Sequence, residues 1–349
     1  MSINTLKPFQ TIRSSQALTA TKKLHHQTRL ALGSDTTLTI VSSLSEASVN
    51  SIFRELWLRI FQFERQFSRF VPDSELSRFN RRAGQSVAIT PSFRKILLAA
   101  RRMASATANL YNPFILPALQ RAGYVSSFVP RHAGESHDLY VNRYVAAIDQ
   151  LVIRDSEAQI PYSTALDLGG CGKGYLADEL SRLHCVGALD GYWFSFGGDV
   201  VGGGRNVDSQ PWQVSIQDAH MHTSRLDAQI TFDMPKFAVA SSGTIIRRND
   251  GGKSWHHIID PRSMKPARSD ILLATTVHDS ALEADVMASC AVMLGSSEAL
   301  SFLRQHGSRC LVLQHVDGTR TSFGIDAYAN NSTGGKTPNM FDVPRGVIS

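Results

Sequence analysis

The stretch from Ala165 to Leu180, ALDLGGCGKGYLADEL, constrains the chain more than any other. A short apolar run ends at Asp167, a glycine cluster follows (Gly169, Gly170, Gly172, Gly174), and a helical pattern begins at Tyr175, with Leu176, Leu180 and Leu183 spaced four and three apart. Strand, glycine turn and helix in that order bring backbone N–H groups and a helix N-terminus towards a phosphate. Two common versions fail on counting. A Walker loop needs glycine where Asp167 stands and Ser or Thr where Gly174 stands. The dinucleotide fingerprint G-x-G-x-x-G fits at no register. The plain alternative is a glycine-rich turn that holds no ligand.

A chain of 349 residues can build one large domain or two packed halves. Its hydrophobic fraction of 42% and charged fraction of 19% are ordinary for a soluble globular protein and point neither to disorder nor to a membrane class. The net charge of +6 hints at nucleic acid until it is located. Lys7, Arg13, Lys22, Lys23 and Arg29 supply most of it, from a first stretch that contains no acid. A basic arm on a near-neutral body argues against an extended nucleic-acid surface. The arm has no apolar core of the secretory kind, although its composition would also suit an organelle transit peptide; a disordered arm over residues 1–30 is the expectation. No apolar run reaches the roughly 18 residues of a membrane span. Cys171, Cys185, Cys290 and Cys310 show no C-x-x-C pairing, which fits a reducing compartment. Cys171, inside the glycine turn, reads as a small buried residue and not as a nucleophile, since no base is identifiable for it.

Along the chain, a strand is expected at Leu38–Val41, then a long amphipathic helix from Ser45 to Phe67 that ends before Pro72. Asp73 or Ser74 can cap a short helix around Glu75–Phe79. Thr90 followed by Pro91 starts the next helix, and Asn109 to Pro117 breaks it. Strands are expected at Leu151–Ile153, Tyr192–Phe196, Trp212–Gln217, Phe237–Ala240 and Ile271–Val277. The last strong helix, Ala281–Leu294, has Ser280 as cap, Glu283 at the capping-box position and Gly295 just beyond its end. Residues 326–349 turn to Asn, Ser, Thr, Gly and Pro and read as a flexible tail. Two glycine elbows, at 167–170 and 197–199, hint at an internal duplication.

Asp285 and Ser289 lie one turn apart on that helix, so their oxygens leave one face. Carboxylate, hydroxyl and carbonyl oxygens are the hard ligands that Mg²⁺ takes, together with waters and phosphates; the bland alternative is a solvated helix face. His256 and His257 sit in a strand-like context and point to opposite sides, so one can face a ligand while the other packs. An imidazole with an unperturbed pKa near roughly 6.5 suits a base at neutral pH. Neither a Ser-His-Asp order nor a G-x-S-x-G elbow is present.

Taken in order, SRFVPDSELSRFN, NPFILPAL, DLGGCGKGYLAD, FGGDV, ASSG, HHIIDPRSMKPA and SALEADVMAS resemble the FAD:protein FMN transferases, the ApbE family. The resemblance implies an α+β fold with mixed sheets flanked by helices and a duplicated T-fold-like core, over a domain of residues 31–325. It implies a Mg²⁺-dependent enzyme that cleaves the FAD pyrophosphate, releases AMP and joins FMN to a Thr or Ser hydroxyl of an acceptor protein. By similarity, Leu32, Phe70, Leu110, Tyr111, Asn112, Asp167, Lys173 and Ile259 fall where the family contacts FAD, with the Phe70 ring against the isoalloxazine. Gly170 through its carbonyl, Asp285 and Ser289 fall where it holds Mg²⁺. His257 is expected to accept the acceptor's proton or orient the phosphate, and Asp285 to share that task.

Some positions depart from the family pattern. Leu32 replaces the common Met, Asn112 the common Asp, Gly172 an Ala and Ser289 a Thr; Met264 stands where the D-P-R-T-G turn has Gly, and Ala288 offers no oxygen where some members have a second Asp. Many relatives are exported lipoproteins; with neither signal nor lipidation cysteine, this chain is expected to work on a cytoplasmic acceptor. Two other functions share the same residues: a FAD pyrophosphatase, with water in place of the acceptor hydroxyl, and a non-catalytic FAD-binding protein.

Overall fold

The computed structural model describes residues 21–125, 145–219, 226–245, 248–249 and 255–325. Its first element is a hairpin of β1 (Lys23–Ala31) and β2 (Ser34–Ser42), paired from Lys23↔Ser42 to Ala31↔Ser34. Leu32 and Gly33 form the turn with φ of 56° and 71°, the left-handed pair that matches strand twist. Leucine pays a steric cost there, and the Glu64 carboxylate holds it by accepting its N–H at 3.0 Å. The strand corrects the expected arm: Lys23–Ala31 pair along the whole of β2 and are not disordered. Their side chains are mostly polar and exposed, so no apolar alternation announced them. Residues 1–20 and the tail at 326–349 lie outside the described residues.

A run of helices follows. In α1 (Glu46–Phe67), Ser45 accepts the N–H of Ser48, and Val49, Ile52, Phe53, Leu56, Trp57 and Ile60 are buried. Ser74 caps α2 (Glu75–Asn80) and Thr90 caps α3 (Pro91–Ala106) through its hydroxyl, as the proline at the first turn predicts. After α4 (Leu116–Arg121) and α5 (Gly172–Ser181) comes a second hairpin, β3 (Gly191–Phe196) and β4 (Asp199–Gly204). A separate hairpin of β5 (Trp212–Gln217) and β6 (Leu226–Phe232) precedes β7 (Lys236–Gly243) and β8 (Ile271–His278). The chain then runs through α6 (Ala281–Leu294), α7 (Ser296–Gln305), β9 (Cys310–His315) and β10 (Arg320–Phe323).

The main sheet has the order β1-β2-β3-β4-β7-β8-β9-β10, and every described pairing in it is antiparallel. Each half is a strand pair, a helical segment and a second strand pair, and the halves join through β4 and β7. The duplication expected from the sequence therefore lies in the sheet topology. The glycine elbows do not carry it: Gly197 and Gly198, with φ of 65° and 101°, are a hairpin turn, whereas Gly169 and Gly170 lead into a helix.

Alternation along the strands sorts the two faces. Leu38, Ile40, Phe194, Phe196, Val201, Ala238 and Ala240 pack against α1, α5 and the start of α6. Val41, Val200, Phe237, Val239, Val277 and Val312 point the other way, beneath the β5–β6 hairpin, where Phe232 and Phe237 stack at 4.2 Å. Each large side chain so buried contributes about 2 kcal/mol. A further core gathers α2, α3, α6 and α7 around Phe79, Phe93, Leu97, Phe114, Val286 and Leu303. The apolar run before the glycine turn is buried in it but is no strand. The buried amide of Asn80 takes both backbone groups of Leu166, at 2.9 and 2.8 Å, and so replaces a sheet partner.

Candidate active site

The glycine turn is built around Asp167. One oxygen of this carboxylate accepts the N–H of Gly169 at 2.7 Å, and the other pairs with the buried Arg69 guanidinium at 2.6 Å. Helix α5 starts at Gly172, and at Gly174 it presses on the first turn of α6. A Cβ at position 174 would overlap the Ala281 carbonyl and lie 2.8 Å from the Leu282 Cα. Cys171 is buried, as expected. Burial is the main cause of its thiol being pushed up to about 12, so it is no nucleophile.

That contact aims α6. Asp178, near the end of α5, accepts from Lys236 at 2.8 Å, from the Ser280 hydroxyl at 2.6 Å, and from the N–H groups of Ala281 and Leu282, each at 3.1 Å. A carboxylate at a helix N-terminus is electrostatically favoured. Burial alone would raise the Asp178 carboxyl, but Lys236 and these hydrogen bonds outweigh it and hold its pKa low. With α6 so anchored, Asp285 accepts the N–H of Gly174 at 3.3 Å. One turn on, the Ser289 hydroxyl meets that of Ser242 on β7 at 2.9 Å.

Asp285, Ser289 and Gly170 share the wall of one cavity of about 970 Å³, at the upper end of the range for small-ligand sites. Leu32, Phe70, Leu110, Tyr111, Asn112, Asp167, Lys173, His257 and Ile259 line the same cavity, so the fold brings together every site residue the sequence predicts. Lys173 is paired with Asp199 at 2.5 Å, and Asp199 also accepts the N–H of Ser241 at 3.1 Å. Tyr111 has its hydroxyl buried beside Cys171 without a hydrogen bond among the described residues, and burial first, then Cys171, raises its pKa. Asn112 is committed internally: its amide donates to the Ala146 carbonyl and its oxygen accepts from Phe114, both at 2.9 Å. It thus shapes the wall chiefly through the loop it ties.

The two adjacent histidines divide as expected. His256 is buried, its Nε2 donating to the Ala267 carbonyl at 2.9 Å, and burial holds its pKa low. His257 faces the cavity, with its ring 6.2 Å from that of Tyr124. Arg69, Tyr124, Asp199 and Ser242 were not singled out from sequence. Arg69, Asp199 and Ser242 sit inside SRFVPDSELSRFN, FGGDV and ASSG, but their roles depend on partners far along the chain.

A family model described as ApbE family matches residues 32–312. The chain belongs to the ApbE family. Among curated members, this ApbE protein is 23% identical over 292 residues to the FAD:protein FMN transferase of Haemophilus influenzae, covering 81% of this chain and 82% of that one. With the FAD:protein FMN transferase of Salmonella typhimurium it shares 26% over 266 residues, 73% and 74% of the two chains. Its fold is that of the Pseudomonas stutzeri flavinyl transferase ApbE in its apo form, with a TM-score of 0.74 at 22% identity, over 87% of this chain and 96% of that one. The flavin transferase ApbE from Vibrio cholerae superposes with a TM-score of 0.74 at 19% identity, over 88% and 100% of the two chains.

The donors suit a hard divalent cation. A carboxylate (Asp285), a hydroxyl (Ser289) and a main-chain carbonyl (Gly170) are all oxygen ligands, and Mg²⁺ completes its shell with water and substrate phosphates. Among the described residues no group of three or more His, Cys, Asp and Glu side chains gathers to hold a metal. The phosphates of a ligand would therefore have to supply much of the countercharge.

Proposed function

We propose that this chain is a FAD:protein FMN transferase: it joins FMN from FAD to a Thr or Ser hydroxyl of an acceptor protein and releases AMP. The observation that carries the reading is the single cavity lined at once by Phe70, the Gly170–Lys173 turn, Asp285 with Ser289, and His257. A dinucleotide needs such a set: an aromatic surface for its ring, N–H dipoles and a cation for its pyrophosphate, and a base beside the phosphorus to be attacked. The names of the curated relatives support the same reaction.

In this reading Gly170, Asp285 and Ser289 hold Mg²⁺, which when bound neutralises charge on the pyrophosphate. Phe70, with Leu32, Leu110, Tyr111, Asn112 and Ile259, encloses the flavin half, and Lys173 and Asp167 flank the turn that faces the phosphates. A ring nitrogen of His257 accepts the proton of the acceptor hydroxyl. As that oxygen bonds to the FMN phosphorus, the pyrophosphate bond breaks and AMP departs with the electron pair. Among the described residues no helix is long and apolar enough to cross a membrane. We place the acceptor in the cytoplasm, on the support of four free cysteines.

The test is to incubate the purified protein with FAD, Mg²⁺ and a flavinylatable domain. The expected result is a mass gain of one FMN on the domain and equimolar AMP, with both falling about 100-fold or more in Asp285→Ala. Free FMN and AMP formed without acceptor, and no mass gain on any acceptor, would make it a pyrophosphatase. Tight FAD binding with no turnover at any Mg²⁺ concentration would make it a flavin-binding protein.

A further inference from the structure

Two residues beyond the end of α1 the Arg69 side chain is buried. Its Nε meets Asp167 at 2.6 Å and its Nη2 donates to the Tyr124 carbonyl at 2.9 Å. Its guanidinium carbon lies 4.1 Å from the centre of the Phe70 ring and 4.7 Å from that of Tyr124. The two rings meet edge to face at 5.8 Å, and Tyr124 in turn meets the His257 ring edge to face. One face of Phe70 is thus covered by a cation, and the ring itself lines the cavity.

From this geometry we infer that Arg69 and Tyr124 are positioning residues that lock Phe70 as a platform for the flavin ring and tie it to the glycine turn and to His257. The inference rests on the function proposed above and extends it to which half of the dinucleotide these residues serve. The planar guanidinium does three things at once: it forks to a carboxylate and a carbonyl, and it offers flat faces to the rings. A lysine ammonium has neither the fork nor the faces. Replacing Tyr124 by an aliphatic residue leaves the Arg69–Asp167 pair in place while removing the ring that packs against Phe70.

The experiment compares binding of FAD with binding of ADP, which lacks the isoalloxazine, in the presence of Mg²⁺, for the wild type and for Arg69→Lys, Tyr124→Leu and Tyr124→Phe. Arg69→Lys and Tyr124→Leu are expected to weaken FAD about tenfold, the scale of one aromatic or cation–π contact, and to lose the shift in flavin absorbance on binding. ADP affinity stays within about twofold, and Tyr124→Phe recovers the FAD affinity because it keeps the ring. Unchanged FAD affinity in both variants, or equal loss of FAD and ADP, would overturn the inference. If Arg69→Lys does not fold, the Tyr124 pair decides it alone. A wild-type protein that binds no FAD would instead remove the function on which the inference rests.

Discussion

The backbone N–H of Gly174 donates to the Asp285 carboxylate at 3.3 Å, between residues 111 positions apart in sequence. It does so because position 174 has no side chain, which lets α5 lie against the Ala281 carbonyl. The carboxylate is therefore held at the glycine turn by a backbone contact.

Gly174→Ala puts a methyl group where main-chain atoms of α6 already sit, and backbone cannot swing aside as a flexible side chain can. The helices must part, at a cost of about 1–3 kcal/mol. AMP release should fall by more than the loss of folded protein accounts for, since Asp285 moves with its helix. Denaturant titration beside an AMP assay on the folded fraction checks this.

Asp178→Asn leaves the N-terminus of α6 without its carboxylate and leaves Lys236 without its partner. Breaking a buried pair of this kind costs about 3 kcal/mol or more. The melting temperature should drop sharply, and more than in Asp233→Asn, whose partner Arg205 is exposed; thermal unfolding of the two variants side by side is the measurement.

His278 introduces a pH dependence. It is buried, and its Nε2 is bonded to the Ser308 hydroxyl at 2.7 Å. Burial is the chief cause of its pKa falling from 6.5 to about 4, with Asp279 opposing and Arg309 and His306 assisting. The unfolded chain takes up this proton first as pH falls. The stability it contributes is complete above pH 6.5 and is lost between there and about 4, by about 3 kcal/mol in all. Unfolding free energies measured across that window should fall with pH less steeply in His278→Gln than in the wild type.

Met264 sits at φ 58° in the turn after Asp260, where its N–H reaches the Asp260 carbonyl at 2.7 Å. The left-handed conformation costs an ordinary residue about 1–2 kcal/mol, part of which glycine gives back through a freer unfolded chain. Met264→Gly should raise stability by roughly 0.5–1 kcal/mol, read as a higher denaturant midpoint at unchanged slope.

Much of the helical skeleton was legible residue by residue. The limits of α6 follow from Ser280 and Gly295, and the start of α3 from Thr90 and Pro91, because caps and turns act over a few neighbouring positions. Strands were harder. β1 carries polar side chains at an edge, and β4 ends in glycines because Gly202 lies against the Phe237 ring and Gly203 against Tyr192. Neither shows an alternation until its neighbour is known. The run at Ala165–Leu168 misled in the opposite sense: it has the apolar character of a strand, but Asn80 took its hydrogen bonds.

The candidate site divides along the same line. Its motifs, their order and the residue types suited to phosphate, cation and flavin stand in the amino-acid sequence, which by itself also settles the family and the caps of its helices. Only the tertiary structure decided that Arg69 would meet Asp167 between two rings, and that Asp178 would anchor the helix bearing Asp285. Periodicity and capping are interactions between neighbours on the chain; a buried ion pair or a cavity wall is made by segments a hundred residues apart, and exists only once both have been packed.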